Sequence, residues 1–388
     1  RNFLIAYNIN LNTSDQRLAT DIAFELREKG RSKRDPNPRS KNLLDGEIIR
    51  NKDGTPIKIK GMFKDVKAVG WYLDEYKRAQ ISINLNNYKT SSIHEVFDAA
   101  CRLAEERGLR VTGSELVGLV PLDAILLAGH HYLKKQNAAE GIPENEVIEC
   151  AIQSLGLNDL SSFDPQKKII EYAISDKRYK LVNLSVQDLL DEISTKSPAP
   201  GGGSVSALLG SNAASLCSMV ASLTYYKKDF FNLREKMNDV GKRAQLIKDE
   251  LIVLIDEDTR AFNAILEANK LPTKDDREIK IKEEAIKNAN ELAFETPYHI
   301  ASLCAEVLSL CVDLSKDGNP SSISDVGVAA ESAYAGFKGA TMNVLINMPN
   351  IENNDFRNKI SNELKTKKSD VEASYKATIN EISRVLNS

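Results

Sequence analysis

The sequence predicts an α+β chain, a ferredoxin-like split βαβ sheet unit followed by an all-α helical bundle. Two observations carry this. Up to about residue 120, strand-period and helix-period segments follow one another as β-α-β-β-α-β. From Leu184 onward no convincing strand is readable, and Leu and Ala recur at helical period with Gly and Pro mainly between segments. The polar stretch 176–183 breaks the pattern and is read as the linker, giving domains 1–175 and 184–388.

Taken in order, residues 3–10 alternate as a strand, and 15–30 read as an amphipathic helix stopped by Gly30. Residues 31–41 are a basic, Pro-containing loop, read as solvated rather than as an anion site. Segments 47–50 and 56–60 flank Asp53-Gly54 as a small hairpin. Strands follow at 66–73 and 79–85, a helix at 93–106, and a fourth main strand at 110–119. The tail of the unit holds a helix from 121 to 135 and short helical pieces at 151–155 and 165–172. In the bundle, helices are expected at 186–194, 204–226, 231–271, 275–293, 297–311, 324–347 and 354–386. They are long and few, so pairing with a second copy is expected.

Composition narrows the function. The chain has 388 residues, 42% apolar and 28% charged, as in an ordinary globular protein. A net charge of -3 argues against a nucleic-acid partner. The five cysteines show no metal-ligand spacing and are read as reduced thiols of a cytoplasmic protein. The four histidines form no zinc motif, so no metal is expected. No signal peptide and no apolar run long enough to span a bilayer is read. The start at Arg1, running straight into a strand, suggests a fragment whose upstream portion is missing.

Three motifs could carry chemistry. In the 231–271 helix, Leu233, Met237, Val240, Ala244, Ile247, Leu251, Leu254, Asp258, Ala261 and Ile265 form one four-three seam. Asp258 alone is charged, and a carboxylate in a dry stripe is costly unless paired, neutralised or in use. It either caps or ion-pairs a neighbouring helix, or acts as a general acid and base tuned by desolvation. Asp256, two residues back and about 200° around, points away and is read as solvated. Gly201, Gly202 and Gly203 precede Ser204, a natural N-cap, and offer free backbone amides to an anion or simply allow close packing. Asp325, Asn343 and Asn347 lie along a later helix. The two amides could read a heterocycle edge or make ordinary interhelical bonds. In the first domain, Glu115 sits near a strand end, as a ligand contact or a plain polar group. Trp71 is a stacking wall or core.

These motifs resemble a known family. Ser-Pro-Ala-Pro-Gly-Gly-Gly-Ser (197–204), Asp-Glu-Asp-Thr-Arg-Ala-Phe (256–262), Lys-Leu-Pro (270–272) and the 324–347 segment resemble formimidoyltetrahydrofolate cyclodeaminase. Phe-Leu-Ile-Ala-Tyr-Asn-Ile-Asn-Leu (3–11), Val-Gly-Trp-Tyr-Leu (69–73) and Gly-Ser-Glu-Leu-Val-Gly-Leu-Val-Pro (113–121) resemble the C-terminal half of glutamate formimidoyltransferase. The order matches the bifunctional enzyme of histidine breakdown. The resemblance implies that formiminoglutamate gives its formimino group to tetrahydrofolate. The ring then closes to 5,10-methenyltetrahydrofolate with loss of ammonia. It also implies a helical homodimer with folate, possibly a polyglutamate, between subunits, and it places the essential aspartate at Asp258. A methenyltetrahydrofolate cyclohydrolase or a non-catalytic folate-binding scaffold are the alternatives. The family's transferase histidine lies in an N-terminal subdomain read as absent here, so no histidine of this chain inherits that role. The insertion at about 42–61 is longer than usual for the family.

Overall fold

In the computed structural model, residues 3–174 and 181–387 are described. The chain runs β1 (Ile5–Leu11), α1 (Gln16–Leu26), β2 (Arg31–Ser32), β3 (Arg34–Asp35), β4 (Glu47–Ile48), β5 (Lys58–Ile59), β6 (Val66–Leu73), β7 (Arg78–Leu85), α2 (Ile93–Glu106), β8 (Val111–Val117), α3 (Leu122–Lys135), α4 (Glu144–Leu155), α5 (Pro165–Lys168) and α6 (Ile170–Ile174). Then come α7 (Val186–Ile193), α8 (Gly202–Tyr225), α9 (Arg234–Lys270), α10 (Asp276–Asp317), α11 (Ile323–Asn347) and α12 (Asn354–Leu386). One compact unit holds the described residues of Arg1–Ala138 and Pro143–Asp176, the other those of Ala139–Ile142 and Lys177–Ser388. Most of the stretch read as a linker lies outside the described residues.

The first unit is α+β. Its four-stranded antiparallel sheet has the order β6-β7-β1-β8. Period-2 alternation sends Ile5, Tyr7, Ile9 and Leu11 of β1 and Ile81, Ile83 and Leu85 of β7 into one core. Ala19, Ile22, Ala23 and Leu26 of α1 and Val96, Ala100 and Leu103 of α2 complete it. The other face carries a polar chain: Trp71 Nε1 donates to Gln80 Oε1 (3.0 Å) and Gln80 Nε2 to Asn10 Oδ1 (2.6 Å). Asn10 Nδ2 then donates to Asp159 Oδ2 (2.9 Å). Trp71 is therefore an anchored, partly exposed ring and not core.

The basic loop expected at 31–41 is not simply solvated. Its first residues form β2 and β3, which pair with β5 and β4, and Arg50 bridges Pro56 across the Asp53-Gly54 turn. The hairpin therefore folds back onto the chain just after α1, because its short strands need partners for their backbone groups.

The second unit is helical among its described residues. Seam positions Met237, Val240, Ala244, Ile247, Leu251, Leu254 and Ala261 are buried in the core with α8, α10 and α11. By length and composition α8 and α10 could each cross a membrane, contrary to the reading that no apolar run is long enough. Their apolar windows are mostly buried inside the bundle, as core helices are.

One expected break does not occur. The sequence predicts separate helices at 275–293 and 297–311, and Pro297, which has no N–H, cannot donate to the Ala293 carbonyl. They form one helix, α10, with Pro297 inside it. Asn347 Nδ2 of α11 donates to Ala293 O at 2.8 Å and replaces the missing bond.

Candidate active site

The site forms where α8 begins against the middle of α9. The helix starts at Gly202 with Gly201 as the capping residue, in extended conformation. Ser204 is thus in the first turn and not the N-cap expected from its sequence. Its backbone N–H, one of the amides a helix start leaves unpaired, donates to Asp258 Oδ2 at 2.9 Å. The Ser204 hydroxyl lies 2.8 Å from Ile255 O, 3.2 Å from Thr259 Oγ1 and 3.3 Å from Asp258 Oδ2. With a single hydrogen to give, it donates to the closest acceptor, Ile255 O, and accepts from Thr259.

Gly203 is required by contact. A Cβ there would sit 1.9 Å from Asp258 Oδ1, inside the carboxylate. The carboxylate therefore lies directly over the α8 backbone, half-buried, with Oδ2 anchored. Oδ1 accepts no hydrogen bond among the described residues. Burial pushes the Asp258 carboxyl above the ordinary aspartate range, and the bond from the Ser204 amide acts the other way. The arrangement can hold a proton and release it at the oxygen that accepts no hydrogen bond.

Asn343 of α11 comes close as well. A Cβ on Gly202 would lie 3.5 Å from its Nδ2, which donates to Gly339 O at 3.0 Å. Gly201, Gly202, Gly203, Ser204, Asn343 and Asp258 thus share one end of the bundle. Asn347 does not join them as a ligand-reading amide, since its Nδ2 is held by Ala293 O. Asp325 stands in the first turn of α11, about 27 Å along the helix from Asn343. That end is tied to the other end of α8, where Asn319 N–H donates to Thr224 Oγ1 at 2.9 Å. Glu115 belongs to the first unit, on β8 opposite Asn8. Asp256 is not left to solvent. It is half-buried and its Oδ1 accepts the Leu181 N–H at 2.7 Å. Thr259 and the Ile255 carbonyl were not singled out in the sequence, where nothing separates them from other helix residues. Exposed Met342, Leu345 and Ile346 flank Asn343, and the cavity of about 660 Å³ along α10 does not include Asp258.

The sequence is similar to known proteins along both units. Residues 6–175 match the family described as Formiminotransferase domain and residues 185–366 the one described as Formiminotransferase-cyclodeaminase. A Formimidoyltransferase-cyclodeaminase of Mus musculus is 36% identical over 361 residues, 92% of this chain and 62% of that protein. A Methenyltetrahydrofolate cyclohydrolase of Methylorubrum extorquens is 32% identical over 182 residues, 47% of this chain and 88% of that protein. A crystal structure of formiminotetrahydrofolate cyclodeaminase from Thermotoga maritima matches with a TM-score of 0.48 and 26% identity, over 52% of this chain and 98% of that one. The chain spans about 62% of the length of the mouse relative.

A sheet unit matching a transferase domain, ahead of a bundle that matches the Formiminotransferase-cyclodeaminase model and sets a carboxylate at a glycine-rich helix start, defines a two-module chain of the transferase–cyclodeaminase class. The chain belongs to the formimidoyltransferase-cyclodeaminase family. The transferase match over residues 6–175 gives no support to the expectation that a subdomain of that module is absent.

Proposed function

We propose that the bundle is a cyclodeaminase converting 5-formimidoyltetrahydrofolate to 5,10-methenyltetrahydrofolate and ammonia. The sheet unit would serve the transfer of the formimino group from formiminoglutamate to tetrahydrofolate, within histidine breakdown. The observation that carries the reading is Asp258, with one oxygen anchored by the Ser204 amide and the other free. N10 of the folate attacks the formimino carbon and must lose a proton, and the amino group of the resulting aminal must gain one to leave as ammonia. A single carboxyl with a raised pKa serves both transfers, and this route requires no metal.

Ser204's amide is spent on Asp258. The amides left for a folate carboxylate or pterin edge are those of Gly202 and Gly203, for which no acceptor is found among the described residues. Asn343 is the nearby side-chain amide. Exposed Met342, Leu345 and Ile346, beside Asn343 on α11, support a site completed by a second copy in a homodimer. The strand order of the first unit supports the ferredoxin-like assignment. Five unpaired cysteines support a cytoplasmic location.

The test supplies three substrates in turn. With 5-formimidoyltetrahydrofolate, methenyl absorbance and ammonia should rise together. With methenyltetrahydrofolate alone, rapid hydrolysis without the first activity would favour a cyclohydrolase. With formiminoglutamate and tetrahydrofolate, formation of glutamate reports the transferase. No turnover in any arm would leave a folate-binding scaffold.

A further inference from the structure

The insertion between α1 and β6 encloses a cavity of about 350 Å³ whose walls include Phe24, Arg31, Arg34, Ile59, Lys60 and Met62. Its frame is held by backbone pairing. Arg31 pairs with Ile59, Met62 N–H donates to Glu25 O at 2.8 Å and Phe63 N–H to Leu26 O at 3.1 Å. Gly30, at φ +63°, brings the strands so close that a Cβ there would lie 1.9 Å from Ile59 O.

Charge is balanced beneath the cavity and unbalanced at it. Arg31 NH1 lies 2.8 Å from Asp21 Oδ1 and 3.1 Å from Glu25 Oε1. Arg107 Nε donates to Asp21 Oδ2 at 2.7 Å, and its NH2 pairs with Glu25. Two acids thus meet two arginines; Arg34 and Lys60 are further cations, of which Arg34 acts at longer range on Asp45. Arg34 spends NH1 on the carbonyls of Leu44 (3.0 Å) and Gly46 (2.7 Å). Among the described residues neither Arg34 nor Lys60 makes an ion pair. Arg31 is only 7% exposed, and its NH2 has no acceptor among the described residues. Beside these cations Ile59 and Met62 are 45% and 47% exposed and offer apolar surface at the cavity rim.

We propose that this cavity binds a small organic anion with a phosphate or carboxylate head on an apolar or aromatic body. Arg34 and Lys60 supply charge-assisted bonds to the head, while Phe24, Ile59 and Met62 cover the body. The site is independent of Asp258 and its chemistry.

Ligand-observed saturation-transfer NMR on the full chain tests this with phenyl phosphate, benzoate, inorganic phosphate and benzamidine. At least one of phenyl phosphate and benzoate should bind saturably and be displaced by inorganic phosphate, the two arms distinguishing the preferred head. Benzamidine, with a similar body and the opposite charge, should not bind saturably. Lys60→Glu, at an exposed position, should weaken the anion about tenfold or more. Arg34→Gln keeps a donor for the loop carbonyls and should weaken it similarly, with an unchanged circular dichroism spectrum. The proposal is overturned if neither aromatic anion binds saturably, if benzamidine binds as well as they do, or if Lys60→Glu leaves the affinity unchanged.

Discussion

In the proposed cyclodeaminase reaction Asp258 carries the proton, and the residues touching it set its environment. Asp258→Asn keeps an acceptor for the Ser204 amide and removes the proton carrier. Ammonia release from 5-formimidoyltetrahydrofolate should fall by about 10²–10⁴-fold, the usual worth of general acid–base catalysis. Stability should move the other way. A carboxyl whose folded pKa is raised favours the folded state fully below its unfolded value, about 4. That contribution is lost as pH rises through the raised folded value. The Asn variant should therefore be at least as stable as wild type at neutral pH, with a relative advantage that shrinks on acidification. Urea titrations from pH 4 to pH 8 read this directly, and a variant progressively less stable than wild type towards pH 8 would contradict it. The glycines differ among themselves. Gly203→Ala drives a methyl into the carboxylate and should cost about 1–3 kcal/mol, with loss of activity. Gly201→Ala, whose Cβ would meet only Pro198 O at 3.6 Å, should be tolerated in thermal melts and in turnover.

At the scale of elements, α10 and α11 depend on one amide. Asn347→Ala removes the donor to Ala293 O and should cost about 1–3 kcal/mol, the penalty of an unsatisfied buried group. In a Pro297→Ala background residue 297 regains its own N–H, and the same Asn347→Ala change should cost clearly less. A double-mutant cycle measures the difference. Equal costs in both backgrounds would remove the explanation for the continuous helix. The element scale also shows why sequence reading divided α10. Proline is a sound local stop signal, but its compensating donor lies 50 residues on, in another helix. The short β2 and β3 strands were missed for a related reason. Arg31–Ser32 and Arg34–Asp35 have little strand propensity of their own and extend because the hairpin pairs with them.

On the scale of the whole molecule the two units have separate cores. The single tryptophan, Trp71, lies in the first unit and most helix in the second, so two spectroscopic signals report different units. Leu251→Ala in the bundle should cost about 2–5 kcal/mol and move the far-ultraviolet dichroism transition in urea. The tryptophan fluorescence transition should stay in place. A joint shift would show that the cores unfold as one. Much of this organisation was legible in the chain. The 2-residue and 3.6-residue periods reflect which side chains must leave water, so they gave the main strands, the long helices and the misplaced carboxylate of the seam. Periodicity placed Asp258 on the inner face but left it open between capping a neighbour and doing chemistry.

The sequence by itself determined the α+β order, the seam and the glycine-rich helix start, because apolar spacing and backbone freedom act locally. Only the tertiary structure decided that Asp258 lies over Gly203, takes the Ser204 amide on one oxygen and keeps the other free. It also separated Asp325 from that site by most of a helix, gave Asn347 to a proline's orphan carbonyl and stood Arg34 and Lys60, neither in an ion pair among the described residues, at the insertion's cavity. Each of these depends on which distant backbone groups and charges come within a few ångströms of one another, and side-chain spacing along one helix or strand carries no information about that.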